Sequence, residues 1–98
     1  MGLQVNLRGD IRQSIIDLAK RCDLSKVILF GSRARGDNRE RSDIDLAISG
    51  GNYVEFALAV DEVIPTLLMF DVVVTDKFLS AELREAIERD GVLLYEKV

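Results

Sequence analysis

The spacing of apolar residues changes period several times along the chain, and each change marks an element. Leu7, Ile11, Ile15 and Leu18 recur at helical spacing, with Ile16 widening the stripe. That pattern predicts a helix from Leu7 to about Cys22, with Lys20 and Arg21 suited to its C-terminus. Residues 1–6 read as a short leader. Lys26–Phe30 is short, apolar and rich in β-formers, as a strand buried on both faces would be. Gly31 ends it, Ser32–Arg35 can form one turn of helix, and Gly36–Arg41 is a charged stretch without apolar anchors, hence an exposed loop. Asp43–Ser49 reads as a second strand, broken by Gly50-Gly51. Asn52 can cap a third helix, with Glu55 completing a capping-box-like pair. Phe56, Val60, Val63, Ile64 and Leu67 give that helix an apolar face, and Pro65, the only proline, bends or ends it. Leu68–Thr75 is a third strand. Ser80 caps a fourth helix with Leu83 and Ile87 inward and the pairs Arg84–Glu88 and Glu85–Arg89 outward. Gly91 is its C-terminal stop, and Val92–Tyr95 is a last short strand at a sheet edge.

Helices alternating with strands define an α/β or α+β fold, a sheet with helices packed on it, in a single domain over residues 1–98. The pattern does not fix strand order. The short connector between the first two strands leaves an antiparallel pair and a parallel crossover both open.

Composition narrows the functional classes. The net charge of −4 argues against a nucleic-acid-binding surface as a global property, although Arg33, Arg35, Arg39 and Arg41 cluster locally. The chain has no histidine, which excludes imidazole catalysis and His-rich zinc sites. Its one cysteine, Cys22, has no partner for a disulfide and reads as an intracellular thiol. No apolar run approaches the roughly 20 residues of a membrane span, and no signal-peptide pattern opens the chain. The cytoplasm is the expected location, with no membrane association and no stable nucleic-acid binding.

The chemistry is concentrated in two stretches. In Asp43-Ile44-Asp45-Leu46, the carboxylates at i and i+2 of a strand share a face, while Ile44, Leu46 and Ile48 take the other. Paired anions on a sheet repel each other, and a divalent cation between them relieves the repulsion. Ahead of them, Gly31-Ser32 lies between a strand and a helical turn, where backbone N–H groups and a hydroxyl suit a phosphate. A third carboxylate, Asp71, interrupts the apolar third strand. Buried unpaired it would be costly, and a place beside Asp43 and Asp45 around a metal is its simplest relief. Any one of these acids alone could be a solvent-facing strand residue or a cap; the set together is harder to read that way.

With Gly31-Ser32, a spacer of ten residues, Asp43-x-Asp45 and the later Asp71, the chain resembles the nucleotidyltransferase superfamily that includes DNA polymerase beta and kanamycin nucleotidyltransferase. The wording Phe-Gly-Ser-Arg-Ala-Arg-Gly and Ser-Asp-Ile-Asp-Leu-Ala is similar to its minimal nucleotidyltransferase branch. The closest likeness runs from about Val27 to Val74. The resemblance implies a mixed β-sheet with helices packed mainly on one face, the polymerase beta-like fold, and two Mg²⁺ ions. It implies that Asp43 and Asp45 hold the metals. Asp71 would hold the metal on the acceptor side and help deprotonate the attacking hydroxyl. Gly31 and Ser32 would bind the β- and γ-phosphates of ATP. Arg33 or Arg35 would neutralise charge developing on the pyrophosphate, although each reads equally well as a solvated helix-surface arginine.

Larger relatives add a domain to hold the acceptor, so the acceptor here is expected on a partner. In this branch the resemblance implies a helical HEPN-domain toxin, which the nucleotidyltransferase, as its antitoxin, modifies with AMP and with which it can form an oligomer. The alternative is a regulatory subunit that neutralises its partner by binding alone, with nucleotide binding vestigial. A further possibility is a two-chain enzyme acting on a small molecule. Exposed apolar surface at the edge strand Val92–Tyr95 and around Phe78 and Leu79 is the expected docking region.

Overall fold

The computed structural model describes residues 5–98, so most of the expected leader, residues 1–4, lies outside it. The first helix, α1 (Gly9–Arg21), opens two residues later than its apolar stripe suggests. The Asp10 carboxylate accepts the Ile11 N–H at 2.9 Å and supplies the cap that Arg8 cannot. Leu7 still packs on the core, ahead of the helix. The remaining elements follow the expected order: β1 (Lys26–Phe30), α2 (Ser32–Arg35), β2 (Ile44–Ser49), α3 (Tyr53–Val63), β3 (Phe70–Val74), α4 (Ala81–Asp90) and β4 (Val92–Glu96).

The caps are those the sequence suggests. The Asn52 side chain accepts the Glu55 N–H and donates to the Glu55 carboxylate, fixing the start of α3. Pro65 follows Ile64, at which α3 has already turned into extended backbone. The Ser80 hydroxyl accepts the Leu83 N–H at the start of α4. Gly91 does end α4, but for a reason other than left-handed backbone. Its φ is −61°, and a Cβ there would run into the Ile87 carbonyl and the Ile28 side chain. The glycine lets the chain turn from α4 straight into β4 against β1.

The four strands form one mixed sheet in the order β3-β2-β1-β4. The short connector resolves to an antiparallel β1–β2 pair, β4 lies antiparallel on the other side of β1, and β2–β3 is parallel. β4 is an edge strand, as expected, and β3 is the other edge. Alternation divides the sheet's two faces. Val27 and Leu29 of β1 and Ile44, Leu46 and Ile48 of β2 are fully buried and pack with α1 and α3 into the larger core. On the opposite face Phe30 and Ala47 meet Ile87 of α4, with Ile28, Val73 and Leu83 around them. Helices thus lie on both faces, with most of the apolar mass on the α1/α3 side.

Candidate active site

Asp45 sits on the α4 face of β2, one position from Ile44 and Leu46, whose side chains fill the other face. In the parallel β2–β3 register its partner is Asp71, and in the antiparallel β1–β2 register its partner is Phe30, the residue before Gly31. Three stretches distant in sequence therefore meet around one carboxylate. Asp71 is the second residue of β3, and its neighbours Phe70 and Val72 pack into the larger core. This alternation leaves Asp71 exposed on the side that carries Asp45.

Asp43 lies just ahead of β2 and is exposed, so the strand begins one residue later than its sequence suggests. What brings Asp43 into place is the connector before it, and the anchor of that connector is Arg33. Its side chain is only 5% exposed. Its Nε donates to the Ser42 carbonyl at 3.0 Å, Nη2 to the Glu40 carbonyl at 3.0 Å and Nη1 to the Asn6 carbonyl at 3.3 Å. The expectation of Arg33 as a phosphate ligand is corrected here. Its guanidinium is committed to three main-chain oxygens that need buried donors, and it fastens residues 40–42 immediately before Asp43. Residues 36–41 show no apolar anchor because the anchor of this loop is a buried cation.

Gly31 has φ 76° and ψ −158°, a conformation L-residues avoid. A Cβ at Gly31 would also collide with the Asp45 carboxylate. Glycine is required twice, to turn the chain from β1 into α2 and to let that turn lie against Asp45. Ser32 opens α2, and its carbonyl accepts the N–H groups of Gly36 and Asp37.

The electrostatics follow from this crowding. The Asp45 carboxyl is pushed up to about 6, first by burial and then by the charges of Asp71 and Asp43, with Arg35 opposing the rise. Such a site carries an excess of negative charge, and its three acids offer only carboxylate oxygens, the chemistry of a hard divalent cation. Among the described residues, however, no three acidic or thiol side chains are already drawn into a metal-holding arrangement. A cation there would have to gather Asp43, Asp45 and Asp71.

Arg35 stands on the same side. Its Nε donates to Asp37 at 3.0 Å and its Nη1 to Asp90 at 2.8 Å, and its charge reaches Asp45. Asp37 and Asp90 are polar partners that sequence reading missed. A signal existed for Asp90, an acid in the last turn of a helix, where the helix dipole disfavours negative charge. A depression of about 860 Å³ lies elsewhere, between the N-terminal segment and the α3–β3 connection, and none of the three acids lines it. The carboxylates instead occupy an open part of the sheet face beside the Gly31 turn.

The mixed sheet, with a parallel β2–β3 pair and acids beside a glycine turn, has the fold of the nucleotidyltransferase class. The "Polymerase beta, Nucleotidyltransferase" family matches residues 13–98, and the chain belongs to that family. A 60-residue stretch is 45% identical to "Putative protein adenylyltransferase MJ0604" of Methanocaldococcus jannaschii, covering 61% of this chain and 58% of that relative. The chain thus spans little more than half the length of the curated relative it matches. Two solved structures share the fold. One, described as a toxin-antitoxin with AMP-PNP, has a TM-score of 0.70 at 25% identity, covering 88% of this chain and 73% of that one. The other, described as a "putative minimal nucleotidyltransferase", has a TM-score of 0.64 at 29% identity, covering 83% and 86%.

Proposed function

We propose that this nucleotidyltransferase moves AMP from ATP to a hydroxyl on a partner protein, with Mg²⁺, and that it acts as the antitoxin of a HEPN-type helical toxin. The observation that carries the reading is the convergence of Gly31, Asp45 and Asp71, with the Asp45 carboxyl pushed up to about 6, first by burial and then by its neighbours' charge. The similarity to a named adenylyltransferase and to a toxin-antitoxin with AMP-PNP supports the donor nucleotide and the class of partner.

In this reading Asp43, Asp45 and Asp71 hold two Mg²⁺ ions. Bound there, the ions would supply Lewis-acid charge for an in-line displacement at phosphorus. The Gly31-Ser32 turn binds the β- and γ-phosphates through backbone N–H groups and the serine hydroxyl, and so orients the α-phosphorus. The acceptor oxygen, most simply a tyrosine hydroxyl, forms a bond to that phosphorus as the bond to pyrophosphate breaks. Asp71 takes the proton from the hydroxyl. Arg35 faces the charge gathering on the pyrophosphate. The partner's docking surface includes the edge strand β4 with Leu93 and the segment ahead of α4 with Phe78, whose side chain is 95% exposed.

The test is transfer of label from α-labelled ATP to the co-purified partner in Mg²⁺. Asp43→Asn and Asp45→Asn should each abolish transfer while retaining the fold. Full transfer by both variants would remove the site from the account.

A further inference from the structure

Asp90 belongs to no expected site, yet its environment is unusual. It is the last residue of α4, on an otherwise solvated helix end, and its side chain is only 6% exposed. Two arginines enclose it. Arg89, its neighbour, donates through Nε and Nη2 at 3.2 and 3.1 Å. Arg35 reaches it from 55 residues away in sequence, through Nη1 at 2.8 Å.

The geometry of Arg35 shows what this contact achieves. A guanidinium has five N–H donors in a rigid fork. Two donors on opposite sides of the fork are tied down, Nε to Asp37 and Nη1 to Asp90, with Nη2 between them. Among the described residues Nη2 has no hydrogen-bond partner, although the side chain is 40% exposed. Arg35 ends the helical turn that starts at Ser32, and its charge reaches Asp45. It is therefore a pre-oriented cation with a free donor pair beside the Gly31-Ser32 turn. An untethered arginine on a four-residue helix would lose rotamer freedom on meeting a ligand; a tethered one has lost it already.

We propose that Asp90 is a positioning residue for nucleotide recognition: from the end of α4 it fixes Arg35 so that Nη2 meets the β- or γ-phosphate of the bound triphosphate. This rests on the nucleotide site proposed above. Two consequences are specific. Loss of Asp90 should weaken binding of a triphosphate but not of AMP, which lacks the phosphates that Arg35 meets. The effect should also run through Arg35, so that Asp90 and Arg35 behave as one unit in a double-mutant cycle.

The experiment is calorimetric titration of the full chain with AMP-PNP and with AMP, in Mg²⁺, for wild type, Asp90→Asn, Arg35→Gln and the double variant. Thermal melts verify the fold, and Asp90→Ala, which also removes the carboxylate, replaces Asp90→Asn if the latter does not fold. Each single variant should lose about tenfold in AMP-PNP affinity, of the order of one charge-assisted hydrogen bond. The double variant should lose no more than either single one, and AMP should bind all four proteins alike. Unchanged AMP-PNP affinity in a folded Asp90 variant, equal losses for AMP, or additive losses in the double variant would each overturn the proposal. Failure of wild type to bind AMP-PNP would instead overturn the nucleotide site itself.

Discussion

The two faces of β2 carry opposite chemistry within six residues. Ile44, Leu46 and Ile48 are at most 1% exposed and lie in a core built from α1, α3 and all four strands. On the other face Asp45 alternates with Ala47, and among the described residues the apolar cluster there has three buried members, Phe30, Ala47 and Ile87. The period-2 geometry of a strand lets one segment serve both purposes. The α1/α3 face supplies packing, and the α4 face is left thin enough to hold charge. The cost of three acids is thus set on the side where the fold has least to lose. Stability and site should then separate under mutation.

The largest effect should come from the packed face. Leu46→Ala removes a fully buried side chain from the centre of the sheet and should cost about 2–5 kcal/mol in chemical denaturation. Arg33→Ala should follow at about 1–3 kcal/mol, because three main-chain carbonyls lose buried donors. It should also loosen residues 40–42 in hydrogen exchange and lower transfer through Asp43. Arg33→Lys should not rescue it, since an ammonium cannot reproduce the fork. Gly31→Ala should cost about 1–3 kcal/mol through backbone strain. In addition it should abolish transfer, because the new methyl occupies the space of the Asp45 carboxylate.

The smallest effect should have the opposite sign. Asp45 titrates near 6 in the folded chain against an ordinary 3.8, so between those values the native state holds more of its proton than the unfolded state does. Its contribution to stability therefore falls as pH rises through that window and recovers as pH drops toward 4. Asp45→Asn should raise the Tm by a few degrees at pH 7.5 and flatten this part of the pH profile. In wild type, stabilisation by millimolar Mg²⁺ should be larger at pH 7.5 than at pH 5, where the proton competes for the same oxygens. A melt series with and without Mg²⁺ checks both. If Asp45→Asn destabilised the chain at pH 7.5, the repulsion argued for this face would be absent.

These contrasts also explain what could be read from the sequence. Element order, the caps at Asn52 and Ser80, and the facing of Asp45 and Asp71 away from the core all follow from local pattern, because periodicity and capping are local physics. The register that pairs Asp45 with Asp71 was not legible, nor was the antiparallel β1–β2 pair, since strand partners are chosen by the whole sheet. Arg33 and Arg35 differ by two positions in one motif, and nothing in that motif separates them. Their roles diverge only because the fold places carbonyls of residues 6, 40 and 42 around one and carboxylates of residues 37 and 90 around the other. Gly91 was legible as a stop but not for its cause, which lies in the approach of β1.

The most direct test of the central claim, that the charged face of β2 and β3 transfers AMP to a partner, is the intact mass of a HEPN-type partner co-expressed with this chain. With wild type the partner should gain one or more AMP units. With Asp71→Asn it should still form a complex, yet carry no added mass. An unmodified partner beside wild type, with its toxicity nonetheless neutralised, would contradict catalysis and leave binding alone as the mode of action.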